Sequence, residues 1–581
     1  MAVKNRLVAQ LFEEIADLLE IKGENPFKAR SYRRAAQAME ALTRDVEELA
    51  AQGALLEIPG VGEALEGKIR EIVATGTCRY LEDLRRSVPP TLLELLALPG
   101  VGPKTVATLY STLGVQCLAD LEVAAREGRL REVRGLGAKK EQAILEGLRM
   151  AKTRAERAPL GSVLPLALEL MESLKQVPGV LKLSLAGSLR RCRETVRDID
   201  LVAASDSPQE LMAAFTSHPL VAEVLSQGDT RSSVRLHGGR QCDLRVVGEE
   251  EFPAALMYLT GSKEHNIRLR ERARARGLKL NEYGLFREED GARLDAGAEE
   301  EIYRLLGLPF ITPELREDAG ELEAAEAGRL PPLIAAEGVL GDLHVHSAWS
   351  DGVDTLETLA EAARARGYRY LAICDHSRSL TVARGLSPER VWAQWEEIEG
   401  LNRRWQDFRL LRGTEVDILK DGSLDHPADL LRAADVVVGS VHSHFRLDPE
   451  AMTARVVRAL SSGLLDILGH PTGRILGYRE PYALDLEAVI RAAAQAGASL
   501  EINASADRLD LKDADARRAR EAGVLLALGT DAHSQAGLYD MALGVGVARR
   551  AWLGPQDLLN SWPAGRLVET LRSRRKGQAG P

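Results

Sequence analysis

The chain has 581 residues, too many for a single hydrophobic core, and ordinary domain sizes predict about three to five modules. Its hydrophobic fraction of 45% and charged fraction of 28% exclude extensive disorder. No apolar run is long enough to span a bilayer, so a cytoplasmic chain without a membrane partner is expected. The formal net charge of -10 excludes a nucleic-acid contact spread over the whole surface, because affinity for phosphates comes largely from Lys and Arg; any such contact must be local.

In chain order, Met1 to Arg6 leads into an amphipathic helix rather than a signal peptide, with apolar residues at helical spacing in Leu7, Val8, Leu11, Phe12, Ile15, Leu18 and Leu19. Short helices and glycine turns continue to about residue 150. From about 180 the texture changes to β runs: Val180–Leu185, Ile199–Val202 and Asp243–Val247. A stretch rich in Glu, Ala, Pro and Gly over 316–337 reads as an interdomain linker, partly helical. Beyond it, apolar strands at Tyr370–Cys374, Val436–Gly439, Leu465–Leu468, Leu500–Ile502 and Leu525–Leu528 alternate with amphipathic helices, as in a parallel barrel. Cys78, Cys117, Cys192, Cys242 and Cys374 are scattered, without any C-x-x-C, and suit neither a disulfide framework nor a zinc finger.

One element recurs in the first part. Ile58-Pro59-Gly60-Val61-Gly62 and Leu98-Pro99-Gly100-Val101-Gly102 each lie between two apolar helices, and Val133-Arg134-Gly135-Leu136-Gly137 is a weaker third copy. They resemble the helix-hairpin-helix. Glycines permit the tight turn and expose backbone N–H groups beside a helix N-terminus, where a DNA phosphate is favourably held. A single copy would read equally as an ordinary interhelix turn; the pairing favours the DNA-backbone reading.

Gly187-Ser188-Leu189-Arg190-Arg191 is followed by Asp198-Ile199-Asp200. On a strand, Asp198 and Asp200 face the same side, and Asp243 on a later strand can supply a third carboxylate, a set that suits two hard divalent ions. Gly187 and Ser188 offer backbone N–H and hydroxyl to phosphate oxygens, and Arg191 can offset charge on a leaving group. Basic runs at Arg190 to Arg193 and Arg268 to Lys279 read either as DNA contacts or as solvated helix faces.

With these motifs, residues 1 to about 312 resemble the family X DNA polymerases. The resemblance implies a helical lyase-like domain over 1–88, fingers over 89–152, an α+β nucleotidyltransferase palm over 153–250 and a thumb over 251–315. It implies Mg²⁺ or Mn²⁺ on Asp198, Asp200 and Asp243. In the run Met257 to Asn266 it implies Tyr258 near the sugar, a backbone turn about Thr260 and Gly261 beneath it, and Asn266 at the nascent base pair; it also puts Arg270 on the template side. Lys68 aligns with the Schiff-base lysine of the family's lyase, and Lys28 and Tyr32 with its 5′-phosphate contacts, although Phe27 and Ala64 replace other basic contacts. The family's glycine before the first aspartate is Arg197 here, which either adds a cation for the triphosphate or blocks its approach. Cys192 stands where some relatives have glycine, and Leu259 where many have phenylalanine.

Eight of the eleven histidines lie after residue 340, beside acids at expected strand ends. They occur in Asp342-Leu343-His344-Val345-His346, Cys374-Asp375-His376, Val441-His442-Ser443-His444, Gly469-His470 and Asp531-Ala532-His533, with Asp351 and Glu415 nearby in the pattern. Imidazole with carboxylate suits zinc, iron and manganese. Residues 338–575 resemble the polymerase and histidinol phosphatase (PHP) domain, a distorted β/α barrel with three metal ions, Zn²⁺ and/or Mn²⁺. The resemblance implies one ion on His344, His346, Glu415 and Asp531, a second on Glu415, His442 and His470, and a third on Asp351, His376 and His533; His426 and His444 fall outside it.

The whole implies a DNA-directed repair polymerase that fills short gaps, taking gapped or nicked DNA and dNTPs, with a 3′→5′ exonuclease in the PHP domain. The rivals are a nuclease on a palm silenced by Arg197, a DNA-binding scaffold, and a PHP domain acting on small phosphate esters.

Overall fold

The computed structural model describes residues 3–577 apart from 41, 43–45, 99–100, 134–135, 138–139, 143, 146–147 and 149–156. Chain contacts divide it into two compact units, residues 1–156 with 380–385, and 157–379 with 386–581.

The first unit is helical. Helices Val3–Ile21 and Pro26–Glu40 bury Phe12, Ile15, Leu18, Leu19 and Met39 at the spacing their sequence predicts, against Ile69 and Ile72 of helix Glu63–Thr75. The first hairpin turn closes with the Val61 N–H on the Ile58 carbonyl (3.0 Å), and Gly60 sits at φ +86°, where glycine is favoured. Gly62 then caps Glu63–Thr75, and Gly102 caps Pro103–Leu113 in the same way. Pro99, Gly100, Arg134 and Gly135 lie outside the described residues.

The second unit begins with a five-stranded sheet in the order Val180–Leu185, Ile199–Ser205, Gln241–Val247, Arg231–Leu236 and Val221–Ser226. Its two central strands, Ile199–Ser205 and Gln241–Val247, run parallel, and helix Leu160–Leu174 packs its apolar face on the sheet. Helices Phe252–Thr260 and Lys263–Arg274, a three-stranded sheet and helix Glu299–Leu305 follow.

Residues 316–337, expected as a linker, are packed instead. Arg316 and Ile334 have no exposed surface, helix Glu321–Glu326 buries Glu321 and Leu322, and the Ile334 N–H donates to the Leu553 carbonyl (2.9 Å). The acidic composition of this region is misleading because its charges find buried partners: Arg316 bonds Glu299 (2.7 Å), and Glu321 bonds His265 (2.7 Å).

The remaining chain forms seven parallel strands that neighbour one another in chain order: Gly341–Val345, Tyr370–Ile373, Arg409–Asp417, Val436–Ser440, Ile467–Leu468, Ser499–Asn503 and Leu526–Gly529. The first and last meet through the Asp531 N–H on the His344 carbonyl and the His346 N–H on the Ala532 carbonyl, both 2.9 Å, so the sheet curls into a barrel. Its strands are buried on both faces because helices cover the outside. The expected fold class therefore holds. The apolar core of the five-stranded sheet is continuous with that of the barrel. Among the described residues no helix is long and apolar enough to cross a membrane, and the cysteines are free.

Candidate active sites

In the first unit, three of the expected lyase residues gather around Tyr80, which the sequence did not single out. Tyr32 stacks on the Tyr80 ring at 6.0 Å and 4°, with the Lys28 and Lys68 ammonium groups 4.7 and 5.2 Å from the ring centre. Lys28 also pairs with Glu24 at 3.5 Å; Tyr80, then Glu24, raise its pKa against partial burial. The Lys68 amine donates to the Ala64 carbonyl one turn back (2.8 Å). Two amines close to one aromatic ring form a local cationic cluster in an otherwise acidic chain.

In the five-stranded sheet, Asp200 lies directly opposite Asp243 on the parallel neighbour, and Asp198 immediately precedes the Asp200 strand. Burial raises the Asp200 carboxyl to about 6; Asp243 and Asp198 push the same way, against Arg191 and Arg197. Gly187 sits at φ +60°, where a Cβ would lie 2.0 Å from Asp200 Oδ2, so the Gly187–Arg190 turn can rest on the carboxylate only as glycine. Asp198 accepts from Arg197 Nε (2.7 Å), and Asp243 from Gln241 Nε2 (3.0 Å) and the more distant Arg231 (3.5 Å). Arg197 and Arg231 therefore partly offset the charge of two of the carboxylates that would take a cation. The three carboxylates are not among the ligand groups whose donor atoms all lie within 4.8 Å of one another; those found among the described residues are in the barrel.

Around this triad, Arg191 donates through Nε to Glu317 (2.9 Å) and through Nη1 to the Thr260 carbonyl, with Gly261 at φ +72° against its guanidinium. The Ser188 carbonyl accepts from the Arg193 N–H (3.0 Å), which closes the turn. Tyr258 is exposed, while the expected base-pair residue Asn266 is nearly buried, its amide donating to the Tyr258 carbonyl (2.7 Å). Arg270 is half-buried on helix Lys263–Arg274. Arg190 bonds Thr260 Oγ1 (2.7 Å) and Glu299 (2.5 Å), a structural role that the sequence left open.

In the barrel, the expected ligands converge on the C-terminal ends of the strands. Glu415 is buried at the centre, its oxygens 3.5 Å from His344 Nε2, 3.7 Å from His346 Nε2, 2.7 Å from His376 Nδ1, 3.4 Å from His442 Nε2 and 3.1 Å from His470 Nε2. Asp531 lies 3.1 Å from His346 Nε2, and Asp351 lies 3.3 Å from His376 and 3.2 Å from His533. Three compact groups result: His346, Asp351, His376 and His533; His344, His346 and Asp531; and His376, Glu415 and His442. The partition differs in detail from the expected one, with His376 on Glu415 and His346 shared.

The donor set fits metal ions. His344 Nε2, both ring nitrogens of His346, His376 Nδ1, Glu415 Oε2 and His470 Nδ1 are buried without a hydrogen-bond partner. His376 Nδ1 and Glu415 Oε2 are close but not in hydrogen-bonding geometry, as for two ligands turned toward a common ion. Charge is unevenly held. Burial opposes the charged form of His344, yet Glu501, Glu415 and Asp531 hold its pKa well above the usual range. Burial, with His533 and His376, lowers His346 to about 4, and burial with Arg508 lowers His470 to about 3. Against its own burial, His442, His376 and His344 keep the Glu415 carboxyl well below the usual range.

Two orienting acids were missed. Glu501 Oε1 lies 2.7 Å from His344 Nδ1 and Asp417 Oδ1 2.5 Å from His442 Nδ1, each fixing the ring nitrogen that faces away from Glu415. Both carried a signal: Asp417 is two residues from Glu415 on one strand, and Glu501 interrupts an apolar run. Asp342 is a structural partner of Thr530 (2.5 Å) and of the His344 N–H (3.2 Å). His426 is buried with neither ring nitrogen bonded, and His444 sits at φ +56° on the following loop.

Comparison with known proteins agrees with this division. Residues 3–78 match the helix-hairpin-helix domain family, 92–150 a SAM-like helix-hairpin-helix tandem, 255–317 the DNA polymerase beta thumb and 342–505 the PHP domain. The chain is 40% identical over 556 residues, 95% of its length and 97% of the relative's, to the DNA polymerase/3'-5' exonuclease PolX of Bacillus subtilis (strain 168). It is 26% identical over 344 residues to DNA polymerase lambda of Rattus norvegicus, covering 54% of this chain and 56% of that one. Over 248 residues it is 28% identical to a probable phosphatase of Thermoanaerobacter sp. (strain X514), covering 40% of this chain and 95% of that one.

Replacing Asp417 by Asn or Glu501 by Gln removes an orienting carboxylate without touching Glu415. Calorimetric titration of Mn²⁺ into each variant is expected to show affinity about 10–100-fold weaker than in the parent. Unchanged affinity would take both acids out of the site.

Proposed function

The chain belongs to the bacterial family X DNA polymerases that carry a PHP domain, and from that premise we propose that it extends primer 3′ ends across short gaps in DNA and trims 3′ ends in its barrel. The observation that carries this reading is the presence in one chain of two separate acidic centres: Asp200 facing Asp243 under the Gly187 turn, and the buried Glu415 ringed by imidazoles.

In the palm, Asp198, Asp200 and Asp243 hold Mg²⁺ or Mn²⁺. Gly187, Ser188 and Arg191 bind the dNTP triphosphate, Tyr258 and Gly261 flank its sugar, Asn266 serves the new base pair and Arg270 the template strand. The three residues expected at the base and sugar are clustered, since Asn266 bonds the Tyr258 backbone beside Gly261. Reaching a base requires Asn266 to exchange that bond. The hairpin glycines Gly60, Gly62, Gly100 and Gly102 present backbone N–H groups to the phosphates of gapped or nicked DNA. The site of action is the nucleoid.

In the barrel, His344, His346, Asp351, His376, Glu415, His442, His470, Asp531 and His533 hold Zn²⁺ and/or Mn²⁺. Such ions supply a nucleophile at neutral pH and stabilise a leaving oxygen. The protein's part is to turn the imidazoles toward a common centre, which Asp417 and Glu501 do from behind for His442 and His344, and to exclude bulk water by burying Glu415.

Lyase action at an abasic 5′ end is supported by the amines of Lys68 and Lys28 at the Tyr80 ring. Borohydride is expected to trap the chain on incised abasic DNA, and Lys68→Ala to abolish the adduct; trapping that persists in the variant would remove Lys68 from this role.

One observation favours a weakened palm: Arg197 Nε bonds Asp198 (2.7 Å) and competes with a metal for that carboxylate. A 5′-labelled primer on a one-nucleotide gap, in Mg²⁺ or Mn²⁺, with and without dNTPs, separates the readings. Asp200→Ala is expected to lower extension by at least about 100-fold and leave degradation intact, and His344→Ala to do the converse. Because Arg197 is largely exposed, its pair with Asp198 is worth no more than roughly 0.5–1 kcal/mol, so Arg197→Gly should lower the Mg²⁺ requirement about 2–5-fold. A much larger gain would mean that Arg197 silences the palm. Degradation without extension under every condition would sink the polymerase reading.

A further inference from the structure

The helix Met541–Arg550 belongs to the barrel but lies against the Gly187–Arg191 turn of the palm. Two residues four apart on that helix, and therefore on one face of it, make the contact. Gly546 meets Cys192: a Cβ at 546 would lie 3.0 Å from the Cys192 Cβ and 3.2 Å from its sulfur, so the bare helix surface admits a turn whose Cys192 is at φ +52°. One helical turn later Arg550, 8% exposed, donates Nη1 to the Arg191 carbonyl (2.8 Å) and to Glu317 Oε1 (2.9 Å). Its other nitrogens are anchored on the barrel by Asp513, with Nε at 2.8 Å and Nη2 at 2.6 Å.

Glu317 is thus shared. The oxygen that receives Arg550 also receives Arg191 Nε (2.9 Å), and its second oxygen lies 3.4 Å from Arg193. Arg191 is held at three points: its carbonyl by Arg550, its Nε by Glu317, and its Nη1 by the Thr260 carbonyl next to Gly261. Its Nη2 has no protein partner among the described residues. A guanidinium with two nitrogens fixed and one free is oriented for a single external acceptor.

We propose that Arg550 of the barrel is a positioning residue of the polymerase site, setting Arg191 through its carbonyl and through Glu317 so that the free edge of Arg191 meets the dNTP triphosphate. The PHP domain is then a structural part of the nucleotide site as well as a separate nuclease. The inference rests on the reading of Arg191 as a triphosphate contact. It also gives the packed 316–337 region a task, because Glu317 is where the two domains meet.

The test uses the full-length chain on a one-nucleotide gap with the dNTP titrated in Mg²⁺, and measures exonuclease on the same labelled strand without dNTP. Arg550→Ala is expected to raise KM for the dNTP by about tenfold to a hundredfold, the effect of losing charged hydrogen bonds, with a smaller change in kcat and an exonuclease rate within about twofold of the parent. Asp513→Asn, which loosens Arg550 from the barrel side and leaves the guanidinium in place, is expected to move KM in the same direction by less, and serves if Arg550→Ala folds poorly. An unchanged KM in both variants, with normal exonuclease, would overturn the proposal. So would parallel losses of extension and exonuclease that track a lowered unfolding temperature, because Arg550 would then be only a rivet between domains. If the parent chain fails to extend the primer while degrading it, the polymerase reading itself falls, and this is seen in the parent arm alone.

Discussion

Burying the carboxylate of Glu415 is the constraint around which the barrel is built. A carboxylate withdrawn from water loses several kcal/mol of hydration, which apolar packing cannot replace. Its partners come from separate strand ends: His344 and His346 from the first, His376 from beyond the second, His442 and His470 from beyond the fourth and fifth, with Asp531 after the seventh. Parallel strands in chain order bring residues far apart in sequence to one face of the barrel. Small residues then allow close approach. A Cβ on Gly529 would fall 2.5 Å from the His344 Cβ and 2.3 Å from Glu501, and one on Gly469 would fall 2.4 Å from the Ser440 hydroxyl.

The five-stranded sheet solves a different problem with the same residue types. Its carboxylates lie in a partly solvated sheet with Arg197, Arg231 and Gln241 as local partners, and burial lifts the Asp200 carboxyl to about 6. A triad with exchangeable protein partners suits cations that arrive with a nucleotide and leave with product, whereas buried imidazoles with unpartnered ring nitrogens suit resident ions. One continuous apolar core joins the five-stranded sheet and the barrel, and the Arg550–Glu317–Arg191 contact crosses between them.

Much of this was legible in the sequence because the chemistry is carried by local patterns. Asp198-x-Asp200 after Gly187-Ser188, and His344-x-His346 with the later histidines, announced two acidic centres, and apolar runs indicated strands of the five-stranded sheet and of the barrel. What was not legible depended on long-range pairing. The strand Arg409–Asp417 passed unremarked although it carries Glu415, because its Arg409, Arg412 and Asp417 mask the apolar run. Tyr80 has no motif, and its place between Lys28, Tyr32 and Lys68 arises from helix packing. Residues 316–337 resembled a linker because composition cannot distinguish an acid in solvent from one paired with a buried Arg550 or His265, as Glu317 and Glu321 are.

The central claim, that one chain holds a resident multi-ion centre and a separate nucleotide-dependent one, is tested most directly by anomalous diffraction from crystals of the full-length chain grown in Mn²⁺, with and without gapped DNA and a non-hydrolysable dNTP. The account predicts manganese peaks among the Glu415 histidines in both crystals and peaks at Asp198, Asp200 and Asp243 only with nucleotide. Absence of manganese around Glu415 at saturating concentration, in a chain whose barrel is folded as described, would contradict it.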